Sequence, residues 1–356
     1  MMKTQKESIL VVLVAGIGDL VMASKSLRAL RRGHPDARIE LVTTSDAVPI
    51  AKMYPSMDRV WSFPIRELRT DKVHFLDVVT LLYRLRRNTY DYVVNLFPVN
   101  TWAGGLKMGC FFALLRTGVK IGHNHKGFGL FVNRKVPSKI FRMHRVDAMT
   151  EIACMMGGVP DSKGLDIFWE QSIEKECRGL FEDDGIWHED RVIVAVNPGG
   201  DRATKRWSPS NFASVADRIA GAFDARIVIL GGPGEEDVGE EIRKKMTKEA
   251  ENCAGKLTLF QLACVLSRCD LLITNDSGPM HIAAAVDTPI VALFGMGNPM
   301  MVSPFMNPGR YRVIYKDLDC QPCHKMKCNS LQCLNSITPD EVYEKSLELL
   351  TMRHSI

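Results

Sequence analysis

Two segments in the second half of the chain combine the residue types that bind anions. Residues Asn197–Gly200 (Asn-Pro-Gly-Gly) follow an apolar run and precede Lys205 and Arg206, and residues Thr274–His281 (Thr-Asn-Asp-Ser-Gly-Pro-Met-His) follow another. Glycine turns expose backbone N–H groups, a helix N-terminus adds positive partial charge, and a lysine adds a full charge. The sequence therefore predicts a diphosphate site built from both turns.

The residues that we expect to contact the diphosphate ligand are distributed over the two turns. They are Asn197, Gly199 and Lys205 in the first turn and Asp276, Ser277, Gly278 and His281 in the second. Each turn alone is also typical of a plain strand-to-helix connection, in which Asp276 or Ser277 only caps the helix and His281 only packs. Two such turns in one domain favour the ligand site.

A third glycine-rich turn, at residues 231–234, is followed by Glu235 and Glu236. A carboxylate at this point of an α/β sheet can accept hydrogen bonds from the hydroxyls of a ribose. The alternative is that both acids only complement the dipole of the following helix. The sequence does not choose between the two glutamates.

Asp19 follows the first apolar run and the segment Gly16-Ile17-Gly18. The third glycine of a dinucleotide fingerprint would fall at Val21, which disfavours a nicotinamide cofactor. A carboxylate at the end of the first predicted strand is either a helix cap or a catalytic base.

Four of the ten cysteines lie together near the C-terminus, at Cys320, Cys323, Cys328 and Cys333, with His324 among them. Four thiolates can hold a structural zinc ion or an iron–sulfur cluster, but the spacing fits neither a zinc ribbon nor a ferredoxin pattern. We predict reduced thiols with a structural role and no part in the chemistry.

Short apolar strands alternate with helical segments along most of the chain, which predicts α/β domains with parallel sheets. Predicted strands lie at 9–15, 38–43, 60–63, 92–96 and 119–122, and then at 192–197, 226–231, 251–254, 270–274 and 290–294. The pattern breaks between about 157 and 190, where we place a linker. We predict Rossmann-like domains over 1–170 and 185–335 that face each other across a cleft, and a final helix within 336–356.

Charge is divided unevenly between the halves. Residues 1–165 hold 25 Lys and Arg against 13 Asp and Glu, a net charge of +12, and the remainder carries −7. A basic first half favours an anionic partner, although two solvated surfaces without partners would look the same. No apolar run is long enough to cross a bilayer, so the sequence suggests a cytoplasmic protein.

The second turn, together with Gly18-Asp19-Leu20, Lys205-Arg206-Trp207 and Leu293-Phe294-Gly295, resembles glycosyltransferase family 9, the ADP-heptose:lipopolysaccharide heptosyltransferases. The resemblance runs from about Ile9 to Leu350. It implies a GT-B fold and inverting transfer of heptose from ADP-heptose, without a metal ion or other cofactor. The implied acceptor is the phosphorylated inner core of lipopolysaccharide at the cytoplasmic face of the inner membrane, and no nucleic acid is involved.

The resemblance also implies roles for individual residues. Asp19 matches the general base, Lys205 the phosphate-contacting lysine, residues 276–278 with His281 the diphosphate loop, and Glu235 or Glu236 the ribose carboxylate. The last helix is expected to pack back on the N-terminal domain. The chain departs from the family pattern at Lys25, at Met296–Asn298 and in the cysteine-rich tail.

Two other functions fit a chain of this architecture. A non-hydrolysing nucleotide-sugar epimerase would not need a basic acceptor domain, so the charge division disfavours it. A sugar-nucleotide-binding protein without catalytic activity is disfavoured because Asp19 and Lys205 are both present.

Overall fold

The computed structural model describes residues 6–64, 75–99, 101–137, 142–182, 191–323, 325 and 327–353. Within these, the chain forms two compact units, Met1–Lys163 and Gly164–Ile356. Each unit contains one six-stranded parallel sheet. The predicted fold class, α/β with two parallel sheets, is confirmed.

The first unit has the strand order β3-β2-β1-β4-β5-β6. Its strands are β1 (Ser8–Leu13), β2 (Arg38–Thr44), β3 (Arg59–Phe63), β4 (Thr89–Asn95), β5 (Arg116–Gly122) and β6 (Arg134–Lys135). Its helices are α1 (Ile17–Gly33), α2 (Val48–Lys52), α3 (Phe75–Arg86), α4 (Trp102–Leu114) and α5 (Arg145–Met155). Every residue of β1 is buried, as expected for a central parallel strand covered on both faces.

The second unit has the order β12-β11-β10-β7-β8-β9. Its strands are β7 (Ile193–Asn197), β8 (Arg226–Ile229), β9 (Ala250–Asn252), β10 (Leu271–Asn275), β11 (Ile290–Phe294) and β12 (Tyr311–Tyr315). Its helices are α6 (Gln171–Glu182), α7 (Pro209–Phe223), α8 (Glu236–Lys245), α9 (Leu259–Arg268), α10 (Gly278–Ala285), α11 (Pro299–Val302), α12 (Gln332–Asn335) and α13 (Pro339–Arg353). Strands β7 and β10 are neighbours, so the two predicted anion turns leave the same edge of one sheet.

The region expected to be a linker contains helix α6, which packs on α9. Residues 183–190, which the prediction also included, lie outside the described part of the chain. The sequence likewise missed α5, β6 and the edge strand β12.

The last helix is packed within its own unit. Helix α13 lies on α7 and on strands β10 to β12. Its residues Val342, Leu349 and Leu350 are buried in the same apolar core as Val291 and Trp207. Because these side chains complete that core, the helix belongs to the second unit. The expectation that it also packs back on the N-terminal domain stays a prediction.

Candidate active site

Asp19 lies in the first turn of α1, two residues beyond the start of the helix. The N-cap position is taken by Gly16, so the interpretation of Asp19 as a helix cap is wrong. The Asp19 carboxylate instead accepts a hydrogen bond from Arg145, with Oδ1 2.8 Å from Nη1, and the side chain is 20% exposed. An ionised carboxylate that is partly open to solvent can take a proton from a hydroxyl group.

Arg145 is a residue of the site that the sequence gave no reason to choose. It is the first residue of α5, and its guanidinium lies 4.8 Å from the centre of the Phe97 ring. Burial lowers the pKa of nearby His123 below its usual 6.5 and the charge of Arg145 lowers it further, against the opposing effect of the hydrogen bond to the Leu96 carbonyl. These effects favour the neutral form of the His123 ring beside the Asp19–Arg145 pair.

The two anion turns of the second unit are joined by hydrogen bonds that one asparagine of each turn donates to the other turn. Asn197 at the end of β7 donates from Nδ2 to the hydroxyls of Thr274 and Ser277, both at 3.0 Å. Asn275 at the end of β10 donates from Nδ2 to the carbonyls of residues 198 and 199, at 2.8 and 3.1 Å. Both asparagines are buried. The two turns are therefore linked to each other by the buried side-chain amides of Asn197 and Asn275.

Lys205 comes from a 3-10 turn at Ala203–Lys205 and reaches the second anion turn. Its Nζ lies 3.0 Å from Oδ2 of Asp276 and 3.4 Å from Oδ1 of Asp201. Burial opposes the charge of Lys205, but attraction to the two carboxylates outweighs it and raises the pKa above 10.5. The predicted lysine and the predicted diphosphate loop are thus in contact, and the lysine stays charged.

Ser277 occupies the N-cap position of α10, and Gly278 is the first residue of that helix. The Ser277 hydroxyl bonds to Asn197 and Thr274 and accepts nothing from the first turn of α10. Asp276 is not the cap either, because its carboxylate pairs with Lys205. The first N–H groups of α10 consequently have no side-chain cap, which is the arrangement found where a helix N-terminus binds an anion.

His281, in the first turns of α10, is buried. A role for its ring at the diphosphate stays a prediction.

Glu235 and Glu236 are placed differently, although they are adjacent in sequence. Oε1 of Glu235 accepts from the backbone N–H of Gly200 at 3.2 Å and lies 3.3 Å from Arg206, while Oε2 accepts from the N–H of Gly232 at 2.9 Å. Glu235 therefore links the turns after β7 and β8. A Cβ at residue 199 would displace this carboxylate from its present position.

Glu236 is exposed at the start of α8, where backbone N–H groups of residues 234 and 236 lower its pKa. That Glu235 or Glu236 contacts the ribose stays a prediction.

The cysteine-rich segment packs beneath the Lys205 turn. The N–H of Cys323 donates to the Met296 carbonyl at 3.0 Å, and the hydroxyl of Thr204 donates to the Lys325 carbonyl at 3.3 Å. Cys333 is buried, whereas Cys320 is exposed, and none of the ten cysteines, all of which lie in the described part of the chain, forms a disulfide. Among the residues that the structure describes, no three His, Cys, Asp or Glu side chains converge to hold a metal ion. His324 lies outside them.

The two-sheet architecture matches solved glycosyltransferases. The fold is similar to that of the family 9 glycosyltransferase from Veillonella parvula, with a TM-score of 0.81 and 22% identity over 99% of both chains. It is also similar to that of Escherichia coli ADP-heptose lps heptosyltransferase II, with a TM-score of 0.73, 23% identity, and 98% of this chain and 99% of that chain covered. Parallel sheets in this arrangement define the GT-B class of glycosyltransferase folds.

Sequence comparison identifies the family. The model of glycosyltransferase family 9 (heptosyltransferase) matches residues 78–334. Lipopolysaccharide heptosyltransferase 3 of Escherichia coli K12 is 27% identical over 297 residues, which cover 81% of this chain and 82% of the relative. The chain therefore belongs to glycosyltransferase family 9, as its motifs indicated. It is a glycosyltransferase, which argues against the epimerase and the inactive binding protein.

Proposed function

We propose that this chain transfers a heptose from ADP-heptose to an anionic acceptor in the inner core of lipopolysaccharide, with inversion and without a metal ion. The observation that carries the proposal is the contact of Lys205 with the Asp276–Gly278 turn, 3.0 Å from Nζ to the Asp276 carboxylate. It places an ammonium group beside the uncapped start of α10. The ammonium group and the start of the helix both favour a diphosphate. The two similar Escherichia coli proteins described above are both named as heptosyltransferases.

The proposed reaction needs a base at the acceptor and positive charge at the leaving group. Asp19 takes the proton of the acceptor hydroxyl as its oxygen bonds to the anomeric carbon of the heptose. The bond from that carbon to the diphosphate oxygen breaks through an oxocarbenium-like state, and ADP leaves. Lys205 and the N–H groups at the start of α10 stabilise the negative charge that develops on the departing ADP.

The remaining candidate residues would bind the donor around this centre. Glu235 or Glu236 would accept hydrogen bonds from the ribose, and Asn197, Gly199, Ser277, Gly278 and His281 would shape the nucleotide and diphosphate site. In the predicted division of labour, residues 1–170 bind the acceptor and residues 185–335 bind the donor. No helix among the described residues is long and apolar enough to span a membrane. We place the reaction at the cytoplasmic surface of the inner membrane, where the acceptor would be presented.

The test is an assay of the purified chain with ADP-heptose and a heptose-deficient inner-core acceptor. We expect release of ADP, a product whose new glycosidic bond has the anomeric configuration opposite to that of the donor, and full activity in EDTA. A retained configuration would exclude single displacement with Asp19 as the base. Loss of activity in EDTA with recovery in magnesium would show that Lys205 and the helix N-terminus do not replace a metal.

A further inference from the structure

Exposed apolar side chains are concentrated on one face of the first unit. Of the eleven large hydrophobic residues exposed in the described part of the chain, seven fall between residues 76 and 130. They are Leu76, Val79 and Tyr83 of α3, Trp102, Leu106 and Leu114 of α4, and Leu130 of the loop that follows β5. We call these seven side chains the α3–α4 face.

The two helices lie side by side on one face of the sheet. Both helices contribute to the same core cluster, α3 through Leu81 and Leu85 and α4 through Phe111 and Phe112. The inner surfaces of both helices are therefore packed on the core. Residues 76, 79 and 83 lie on the opposite side of α3, by the period of the helix. The outward apolar stripes are therefore not needed for folding.

Helix α4 is apolar on both sides. Seven of its residues are exposed, and all of them except Lys107 are apolar or weakly polar: Trp102, Ala103, Leu106, Lys107, Cys110, Ala113 and Leu114. Trp102 is 64% and Leu106 72% exposed, which is unusual for side chains of this size on a helix that already buries Phe112.

The loop after β5 extends the α3–α4 face. The ring centres of Trp102 and Phe128 are 5.1 Å apart. Gly105 of α4 lies so close to the Phe128 carbonyl that a Cβ there would collide, and Gly109 lies beside the Phe131 side chain. Leu130, between those two phenylalanines, is 73% exposed. Leu130 therefore continues the apolar surface of α4.

Charge around the α3–α4 face selects the partner. Residues 76–131 contain seven Lys and Arg and two acidic residues, Asp77 and Asp91. Asp91 accepts a hydrogen bond from the backbone N–H of Ser8, at the edge of β1. Arg84, Arg87, Lys107 and Lys126 are exposed. Two copies of this positively charged face would repel each other. A negatively charged surface that covers an apolar layer would complement both its charges and its apolar side chains.

We propose that the α3–α4 face docks on an anionic lipid bilayer. Trp102, Leu106 and Leu130 enter the boundary between headgroups and acyl chains, and the exposed arginines and lysines contact the phosphates of the headgroups. Because Phe111 and Phe112 fix α4 to the core, the helix lies flat on the bilayer and does not cross it. The purpose of docking, which is access to a lipid-anchored acceptor, rests on the proposed function, but the binding itself does not.

The test measures binding of the full chain to vesicles of phosphatidylethanolamine with phosphatidylglycerol, by flotation. We expect binding that weakens in phosphatidylcholine vesicles and in high salt. Glutamate at both Trp102 and Leu106 (Trp102→Glu with Leu106→Glu) should weaken it by about tenfold or more, because it replaces buried apolar contact with charge. The matched control is Met300→Glu, which alters an equally exposed apolar side chain of the second unit and should bind like the wild type.

Three outcomes would overturn the proposal: no binding of the wild-type chain to anionic vesicles, equal binding by the double variant, or a dimer in sedimentation that the double variant dissociates. Transfer to a deacylated, water-soluble acceptor should be unchanged in the double variant, while transfer to an acceptor held in vesicles should fall. If the chain binds vesicles but glycosylates neither acceptor, the proposed function fails and the docking surface stands.

Discussion

Among single residues, Asp19 has the most specific proposed task, because one carboxylate must both stay ionised and reach an acceptor hydroxyl. Replacing it by Asn keeps the shape and removes the base. We expect kcat to fall by about 10²–10⁴-fold, with an unchanged dissociation constant for ADP. Steady-state kinetics and calorimetric titration with ADP measure the two quantities.

The control for Asp19→Asn is Asp36→Asn, which changes an exposed aspartate in the turn after α1. It should leave both quantities unaltered. Normal turnover of Asp19→Asn on the true acceptor would remove this residue from the mechanism.

Lys205 is the residue for which structure and proposed role agree most directly, since its ammonium group already lies at the second anion turn. Lys205→Ala should raise the dissociation constant of ADP by about 10- to 150-fold, corresponding to the roughly 1.5–3 kcal/mol of a charge-assisted hydrogen bond. The substitution also leaves the buried Asp276 carboxylate without its cation, which adds repulsion toward the diphosphate.

Lys245→Ala is the matched control, because Lys245 is an exposed cation of α8 whose Nζ lies 3.7 Å from the carboxylate of an exposed glutamate, Glu241. Its ADP affinity should equal that of the wild type. An unchanged affinity in Lys205→Ala would show that the diphosphate binds elsewhere.

At the scale of elements, the cysteine-rich segment is hydrogen-bonded to its surroundings near the Lys205 turn. Cys323 donates its N–H to the Met296 carbonyl, and the Lys325 carbonyl accepts from the hydroxyl of Thr204. Cys333 belongs to the apolar core beside Leu334, so Cys333→Ser buries a hydroxyl among apolar side chains. We expect its free energy of unfolding to fall by about 1–3 kcal/mol, measured by urea titration.

Cys320→Ser provides the comparison, because Cys320 is exposed and its replacement should change the free energy of unfolding by less than about 0.5 kcal/mol. Turnover should be unaffected in both variants when each is fully folded. A loss of turnover in Cys333→Ser at wild-type stability would contradict a purely structural role.

The central strands that the sequence predicted share one physical property. Strands β1, β7, β10 and β11 are buried on both faces, so each is a continuous apolar run bounded by polar turns. Strand β12, which the sequence analysis missed, has one buried residue, Ile314, and its Arg312 pairs with Glu348 of α13. It therefore lacks the continuous apolar run that marks the central strands.

The candidate site was predictable where its residues are close in sequence and not where they meet through the fold. The second anion turn is a single run of eight residues, Thr274–His281, so its residue types alone predict an anion site. Arg145 lies 126 residues from Asp19, and nothing in their spacing relates them. The bonds of Asn197 and Asn275 span 76 to 80 residues and depend on β7 and β10 being neighbours.

At the scale of the whole molecule, the charge division and the two compact units suggest that donor and acceptor are bound by different parts of the chain. Residues 1–165 carry +12 and the remainder −7, yet the proposed diphosphate site belongs to the acidic part. Local groups therefore decide where ADP binds, since Lys205 and the start of α10 act at contact distance and the net charge of a unit is screened over about 8–10 Å.

Hydrogen exchange with and without ADP tests this division. A bound ligand slows the local opening of the backbone that it contacts, so we expect protection in residues 198–207 and 276–281, which leave β7 and β10. The Lys205→Ala variant, at the same ADP concentration, should lose most of that protection. Residues 8–163 should exchange at the same rate in both states, because the proposed function assigns their basic surface to the acceptor. Protection confined to residues 8–163 would reverse the assignment of the two units and would place the nucleotide on the unit that contains Asp19.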